Sequence, residues 1–122
     1  TKNLFLKCKK GKFYLVVALN DAAIDLKSLH GRIGSGRLSF GSAAALDELL
    51  AVKPGSVTPF ALINDTTQSV TVILDEAMMR HDFLNYHPLE NTATTNIARD
   101  DLLRFIRSCG HEPRIVAVSG ML

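Results

Sequence analysis

Apolar and turn-forming residues alternate over the first forty positions in a pattern that predicts β-structure. Residues 4–8 and 13–19 are typical of strands, and the turn residues between them, at 9–12, predict a hairpin. The run 13–19 is apolar throughout, which predicts burial on both faces and therefore a central place in a sheet. A further short strand is predicted at residues 37–40.

Three segments space their apolar residues as amphipathic helices do. Asp25 and Ser42 precede the first two segments and suit helix N-caps, because their side-chain oxygens can accept from free backbone N–H groups. The second helix is expected to stop before Pro54, and the third, residues 100–109, before Gly110. The apolar stripes are Leu26, Leu29 and Ile33 in the first helix, Leu46, Leu49 and Leu50 in the second, and Leu102, Leu103, Ile106 and Cys109 in the third.

The rest of the chain predicts mainly strands. The predicted elements are a second hairpin, formed by 61–64 and 70–74 around a turn at 65–68, a helical turn at 75–80, and strands at 83–87, 91–95 and 114–118, the last of which closes the sheet. The helices are too few and too unevenly placed for a regular βαβ array. The pattern therefore predicts an α+β domain, with a mixed sheet and helices packed outside it.

One run, His87-Pro88-Leu89-Glu90-Asn91-Thr92-Ala93-Thr94-Thr95, combines a histidine, an amide and three hydroxyls with almost no apolar residues. Such a run does not suit core packing, because each buried polar group would need its own partner. Its alternation of small and polar residues suits a strand with one face turned to a polar cavity.

Residues 53–60, Lys-Pro-Gly-Ser-Val-Thr-Pro-Phe, place two prolines and a glycine close together. This composition predicts a rigid turn whose backbone amides point outward together. We expect Gly55 to adopt a conformation that bulkier residues resist. The loop and the polar run together predict a pocket for something small and polar.

Composition limits the possible classes of protein. The chain has 122 residues, 47% of them apolar and 21% charged, as expected for one globular domain. No apolar run reaches about 18 residues, so neither a membrane span nor a membrane partner is expected. The net charge is only +2, but Lys2, Lys7, Lys9, Lys10 and Lys12 cluster at the start. For the hairpin lysines, binding of a phosphate backbone and protection of a solvated sheet edge are equally good interpretations.

The two cysteines, Cys8 and Cys109, do not make a disulfide framework, and free thiols fit the reducing cytoplasm, where we expect the protein to be. The lysines near Cys8 favour its thiolate, so a nucleophile is conceivable there; an exposed strand position is the simpler interpretation. No metal-ligand spacing occurs, and no metal or cofactor is expected. A hydrolase on this chain would work without a visible covalent nucleophile, because no GxSxG elbow is present.

Three motifs resemble the YbaK-like aminoacyl-tRNA deacylases, a family that includes the editing domain inserted in bacterial prolyl-tRNA synthetases. Gly55-Ser56-Val57-Thr58-Pro59 resembles the family's GxxxP loop, residues 87–94 its late strand motif, and residues 1–6 its lysine-bearing strand. The motifs occur in the family's order over nearly the whole chain, and most resemble the free-standing branch that clears alanine from proline tRNA. The resemblance implies a barrel-like mixed sheet. It also implies an upstream segment, missing from this numbering, that covers one side of the pocket.

The resemblance further implies residue roles. Lys2 contacts the terminal nucleotide or its phosphate, with Asn3 beside it. The loop at Gly55 positions the aminoacyl ester. His87 shapes or polarises the pocket, and the attacking water is activated by the substrate's own ribose hydroxyl.

The substrate-binding set consists of backbone donors and polar side chains. Backbone N–H groups of Ser56, Val57 or Thr58 can stabilise a developing oxyanion, whereas Pro59 has no N–H to give. The full set of expected substrate-binding residues is Asn3, Ser56, Val57, Thr58, Pro59, Asn91 and Thr92.

Discrimination is expected to depend on size. A few missing methylenes are worth only about 1–3 kcal/mol, so a proline pocket cannot strongly reject alanine, whereas a smaller hydrolytic pocket can exclude proline. Phe40, Phe60 and Leu89 flank the polar motifs and are the candidate walls. The expected partner is the acceptor end of proline tRNA, with prolyl-tRNA synthetase as a further one. The alternatives are a deacylase for another small residue such as cysteine, a non-catalytic module that binds tRNA ends, and a domain cut from a synthetase.

Overall fold

The computed structural model describes residues 2–86 and 95–118. Within these residues the chain forms seven strands, three α-helices and three short 3₁₀ helices. The strands and α-helices are β1 Lys2–Cys8, β2 Phe13–Ala18, α1 Leu26–Ile33, β3 Leu38–Phe40, α2 Ala43–Leu50, β4 Val70–Asp75, β5 Phe83–Tyr86, β6 Thr95–Ala98, α3 Arg99–Ser108 and β7 Arg114–Val116. The 3₁₀ helices span Pro54–Ser56, Pro59–Asn64 and Met78–Arg80.

Five strands form a mixed sheet in the order β3-β1-β2-β4-β7, and β5 and β6 form a separate antiparallel pair. β1 and β2 are antiparallel, with Leu4 opposite Val16, and β2 is parallel to β4, with Leu15 opposite Val72. The predicted hairpin and the central position of the second strand are therefore confirmed. The N-terminal end of β1 lies beside the C-terminal ends of β2 and β4, at one end of the strands.

The sheet carries a packed apolar layer on each face. On one side Leu6 and Val16 pack with Leu29 of α1. On the other side Leu15 and Leu74 belong to the cluster that includes residues of α2, α3 and the helix Pro59–Asn64. Successive residues of a strand point to opposite faces, so neighbours on β1 contribute to different layers.

Two of the helices begin as predicted. Asp25 Oδ1 accepts from Lys27 N–H at 3.1 Å at the start of α1, and Ser42 Oγ accepts from Ala45 N–H at 3.1 Å at the start of α2. α1 ends at Gly34, whose φ of 71° is open to glycine without strain. These local signals orient α1 and α2 against their faces of the sheet.

The prediction of a strand at residues 61–64 is wrong. Pro59–Asn64 forms a 3₁₀ helix that begins at the capping residue Thr58. Asp65 then accepts two backbone N–H groups of the following turn at 3.0 and 2.8 Å, and the chain enters β4. A short apolar run carries no periodicity that separates a strand from a helix, whereas the proline at the first helical position is a helix-start signal.

The mixed α+β class is confirmed, but a closed barrel is not found among the described residues. The five-stranded sheet is open, with β3 and β7 as its edges. Because both faces carry a packed layer, the arrangement is that of an open sheet rather than of a barrel around one interior. Residues 91–94 of the predicted strand 91–95 lie outside the described residues, and the strand observed next spans Thr95–Ala98.

Candidate active site

The N-terminal end of β1 carries two of the residues predicted to bind substrate. Lys2 and Asn3 pair with the last two residues of β2. By alternation Lys2 lies on the α1 side of the sheet, with Leu4 and Leu6, and Asn3 lies on the other side, with Phe5. The two side chains therefore lie on opposite faces of the sheet, at the end where β1 begins and β2 ends.

Lys2 is half-buried and already has one partner. Its Nζ donates to Ala22 O, in the loop between β2 and α1. An ammonium group has three N–H donors, so two remain for a ligand. The hydrogen bond to Ala22 O holds the ammonium charge of Lys2 near the C-terminal end of β2.

Asn3 holds a buried polar atom that lacks a partner. Its Oδ1 is buried and accepts no hydrogen bond from any described residue. Leaving such an oxygen unpaired costs about 1–3 kcal/mol, so it requires an explanation such as a bound ligand or water. Asn3 lies on the face to which Val57 and Phe60 of the loop pack.

The loop of residues 55–59 is anchored at its C-terminal end. Thr58 and Pro59 are buried, and Thr58 Oγ1 accepts from Phe60 N–H at 3.4 Å. Phe60 packs edge-on against Phe105 of α3, with ring centroids 5.4 Å apart. The buried side chains of Thr58 and Pro59 thus attach the loop to the core of the domain.

Gly55 differs from the expectation. It lies in the 3₁₀ helix Pro54–Ser56, is exposed, and is not among the glycines with positive φ, so its backbone is open to other residues. A Cβ added there would meet no described atom within 4 Å. The predicted conformational requirement for glycine is therefore wrong, and the described residues place no steric demand on this position.

The backbone donors of the loop are not equivalent. Ser56 N–H donates to Lys53 O at 2.8 Å and is engaged within the turn. No hydrogen bond of ordinary geometry joins the N–H of Val57 or of Thr58 to another described residue. Val57 and Thr58 are therefore loop residues whose N–H groups have no such described partner.

Several predicted site residues lie outside the described residues, namely His87, Leu89, Asn91 and Thr92. Their roles stay predictions. The polar run follows β5 directly, and β5 pairs with β6 through Tyr86 and Thr95.

The structure brings some of the predicted residues together and separates others. Asn3 and the loop share a face of the sheet, whereas Lys2 lies on the opposite face, and no hydrogen bond between described residues joins Lys2 or Asn3 to residues 55–59. Of the candidate walls, Phe60 is half-buried against the core, but Phe40 is 65% exposed on the edge strand β3. That position is typical of a surface contact rather than of a pocket wall.

Cys8 is not on an exposed strand position as the simpler interpretation held, because only 2% of it is exposed. Burial acts to raise the pKa of its thiol, but backbone hydrogen bonds from Lys12, Lys10 and Gly36, with the charge of Lys12, outweigh burial and lower the pKa. The same burial raises the pKa of the neighbouring Tyr14 hydroxyl, and the charge of Cys8 adds to that shift. A thiol that is only 2% exposed is poorly placed to attack a large substrate as a nucleophile.

The described residues hold neither a candidate metal site nor a candidate membrane-spanning helix. They contain no group of three or more His, Cys, Asp or Glu side chains placed to hold a metal ion. None of their helices is long and apolar enough to cross a membrane.

Comparison with known proteins gives consistent matches. The family model described as "Aminoacyl-tRNA editing domain" matches residues 1–105. The chain is 40% identical over 111 residues to the prolyl-tRNA editing protein ProX of Acetoanaerobium sticklandii, covering 90% of this chain and 68% of that protein. It is 41% identical over 119 residues to the prolyl-tRNA synthetase associated domain-containing protein 1 of Danio rerio, covering 96% of this chain and 65% of the relative.

A solved structure, described as a proposed trans-editing enzyme for prolyl tRNA synthetase, superposes with a TM-score of 0.71. It is 20% identical, with 94% of this chain and 68% of that one covered, so it shows the shared fold. This chain thus spans about two thirds of the length of the proteins that it matches. The chain belongs to the aminoacyl-tRNA editing domain family, and the prediction of an aminoacyl-tRNA deacylase is confirmed at the level of that family.

Proposed function

We propose that this protein hydrolyses the ester of a mischarged proline tRNA and that alanine is the amino acid removed. Family membership and two relatives named for prolyl-tRNA editing or synthetase association support the reaction. The observation that carries the proposal is the loop of residues 55–59, which is anchored by buried Thr58 and Pro59 and in which Gly55 is exposed, with no described atom within 4 Å of an added Cβ. A rigid loop with free backbone donors suits an ester that needs placement more than activation.

In the proposed reaction, water adds to the ester carbonyl, the bond to the ribose oxygen breaks, and that oxygen takes a proton. Negative charge develops on the carbonyl oxygen, where the N–H groups of Val57 and Thr58 stabilise it. The ribose hydroxyl next to the ester activates the water. This role of the substrate explains how the chain can act without a protein nucleophile.

Lys2 binds the terminal nucleotide through its phosphate, using the two ammonium donors that Ala22 leaves free. Asn3 Oδ1 accepts a hydrogen bond from the substrate and so gains the partner that it lacks. The polar run supplies His87, Asn91 and Thr92 to the same pocket. Binding energy is thereby directed to the reacting end of the RNA.

Glycine at position 55 serves the approach of the substrate. A Cβ there would meet no described residue, so we assign the requirement for glycine to a molecule that contacts the loop. Close approach of a ribose or ester to a backbone is one of the standard uses of glycine. This reasoning separates the role of Gly55 from the stability of the domain.

Alanine is selected by volume, because its side chain offers nothing to hydrogen-bond. A pocket that excludes proline by size acts as the second half of a double sieve. The half-buried Phe60 is the described residue best placed to limit the pocket. Prolyl-tRNA synthetase is the proposed source of the mischarged tRNA, which places the protein in the cytoplasm.

The test is hydrolysis of alanyl-, cysteinyl- and prolyl-tRNA, all on proline tRNA, with enzyme in excess. We expect rapid loss of alanine, slower loss of cysteine and no loss of proline. Preferred cleavage of the cysteinyl ester would move the proposal to the alternative substrate. Tight binding of all three aminoacyl-tRNAs without hydrolysis would show instead that the protein is a non-catalytic module that binds tRNA ends.

A further inference from the structure

The outer edge of the sheet at β3 carries a groove with strongly positive walls. Lys7, Lys9 and Arg37 line it together with Cys8, Leu38 and Ser39, and its volume is about 610 Å³. Arg37 also lines a second groove of about 470 Å³ with Lys27 and His30. Neither lining includes a carboxylate, so no described lining residue compensates the positive charge of this edge.

The cations of this edge are also free of ion pairs. No described carboxylate lies within ion-pair distance of Lys7, Lys9 or Arg37. The arginines on and near α3 behave differently: Arg80 pairs with Glu76, Arg99 with Asp82 and Asp100, Arg104 with Asp101, and Arg107 with Glu112. Both sets are solvent-facing, yet only one is left available for an anion.

An exposed aromatic ring stands at the same edge. Phe40 is 65% exposed and lies opposite Leu6 in the β1–β3 pairing. By alternation Phe40 lies on the face of Lys2 and Leu6, whereas Lys7 lies on the face of Asn3 and Phe5, so the ring and this cation flank the edge strand from its two faces. An exposed aromatic beside unpaired cations is the combination that binds single-stranded nucleic acid, through base stacking and phosphate contacts.

We propose that Lys7, Lys9, Arg37 and Phe40, here called the cationic edge, bind the RNA strand of the substrate next to its esterified end. The assignment rests on the proposed function, which places that end at Lys2. Phosphates contact the three cations and a base stacks on Phe40. Two lysines and an arginine without described carboxylate partners, beside one aromatic ring, match the regular phosphates and bases of an RNA strand. They match the mixed charges of a protein or peptide surface less well.

The spacing along β1 agrees with this order. Lys7 is five residues from Lys2, and a strand rises about 3.4 Å per residue, so the two lysines are about 17 Å apart. Stacked nucleotides advance by about 3.4 Å each along a strand, so about five nucleotides cover this distance. Phe40, opposite Leu6, lies along this path, and Arg37 lies beside Lys9, whose N–H donates to Arg37 O at 2.9 Å.

The first test measures binding of uncharged proline tRNA at several salt concentrations. The variant is the triple substitution Lys7→Gln, Lys9→Gln and Arg37→Gln, and the matched control is Arg80→Gln, Arg104→Gln and Arg107→Gln, which removes the same charge from the ion-paired side. Each phosphate contact contributes about 0.7–0.9 to the slope of log affinity against log salt. We expect the variant to bind at least tenfold more weakly and its slope to fall by about 2, with much smaller changes in the control. Equal effects of the two triples would overturn the proposal.

The second test isolates the stacking contact. Phe40→Ala is compared with Phe40→Leu and with Ile115→Ala, which removes an exposed apolar side chain from the opposite edge strand β7. We expect both Phe40 variants to weaken binding about tenfold and Ile115→Ala to leave it unchanged. Full binding by Phe40→Leu would show that the ring stacks on no base.

These tests fail independently of the proposed function. If the wild-type protein hydrolyses no aminoacyl-tRNA, the proposed function is wrong, but binding of uncharged tRNA still reports on the cationic edge. If hydrolysis is normal and neither the triple variant nor Phe40→Ala changes binding, the cationic edge is wrong and the active site stands.

Discussion

The two ends of β1 differ in how their polar side chains are held. At the N-terminal end, Lys2 is tied to Ala22 O and Asn3 has a buried oxygen, so both are partly fixed before a ligand arrives. At the C-terminal end, Lys7 and Lys9 are exposed and lack a described ion-pair partner. Fixed groups suit chemistry, which needs position, whereas exposed surface cations suit attraction of a polyanion.

The difference separates two measurable quantities. Groups that act on the reacting ester, or that position it as Lys2 does through the terminal phosphate, change the hydrolysis rate when all substrate is bound. Groups that hold the RNA strand change the concentration at which binding is half complete, and they do so in a salt-dependent way. Substitutions at the two ends of one strand should therefore produce different kinetic defects.

The largest expected effect is that of Lys2→Ala. Loss of one positioned electrostatic contact costs about 2.7–4 kcal/mol, so the single-turnover rate at saturating enzyme should fall by about two to three orders of magnitude. Lys7→Ala, on the same strand, is the matched control and should retain the saturated rate. An unchanged rate for Lys2→Ala would remove this residue from the active site.

Gly55→Val should have the next largest effect, a loss of at least tenfold in the saturated rate. The melting temperature should hardly change, since a Cβ at Gly55 meets no described atom within 4 Å. Gly41→Ala gives the opposite result as a control: its Cβ would lie 2.4 Å from the Phe5 ring, so stability should fall. Normal activity of Gly55→Val would show that no substrate group approaches this glycine, and a larger effect of Ser56→Ala would show that side chains act instead.

Asn3→Ala should reduce the saturated rate by about tenfold without destabilising the domain. The substitution removes a buried oxygen that accepts no hydrogen bond from any described residue, so no bond to that oxygen is lost. Asn64→Ala is the control, since Asn64 Nδ2 donates to Leu50 O at 2.9 Å and its loss should cost about 1 kcal/mol of unfolding free energy. Urea unfolding measures both variants; if Asn3→Ala were the less stable protein and fully active, Asn3 would be a structural residue.

Local signals in the sequence predict much of this fold. The apolar run 13–19 identifies the central strand, and Asp25 and Ser42 mark the starts of two helices, because burial on both faces and N-caps depend on residues close in the chain. The strand predicted at 61–64 is wrong because three apolar residues followed by Asn64 fit a strand or a 3₁₀ turn equally well. Glycine in a turn likewise suggested a special conformation at Gly55 that the structure does not contain.

The parts of the site that depend on distant pairing could not be predicted. Arg37 joins Lys7 and Lys9 only because β3 pairs with β1 across some thirty residues of chain. Phe40 was expected in a pocket wall because it flanks the polar motifs. Its sequence neighbours do not reveal that β3 is an edge strand, so its exposure could not be predicted. The buried oxygen of Asn3 is equally invisible, because a lack of partners is a property of the whole fold.

The smallest expected effect concerns the thiols. Cys8, beside the cationic edge, has a lowered pKa, whereas burial raises the pKa of Cys109, partly offset by the Ser108 hydroxyl. Ultraviolet absorbance of the thiolate, measured in Cys109→Ser and in Cys8→Ser, should show Cys8 ionising at lower pH. Ionisation in the reverse order would contradict the backbone hydrogen bonds assigned to Cys8.

A depressed thiol pKa also has a defined effect on stability. Between the folded-state pKa of Cys8 and the usual value near about 8.5, the unfolded chain binds more protons, so the contribution of Cys8 to stability rises with pH and is lost as pH falls. Urea unfolding of Cys109→Ser at several pH values in this window should show an unfolding free energy that rises with pH. The rise should be smaller in the double variant Cys8→Ser, Cys109→Ser.

The most direct measurement is single-turnover hydrolysis of alanyl-tRNA for proline against enzyme concentration, with the wild type, Lys2→Ala and the triple Lys7→Gln, Lys9→Gln, Arg37→Gln. We predict that Lys2→Ala lowers the plateau rate with little change in half-saturation, and that the triple raises the half-saturating concentration at least tenfold while keeping the plateau. The account is contradicted if both variants change the same parameter, or if the wild-type protein leaves the alanyl ester intact.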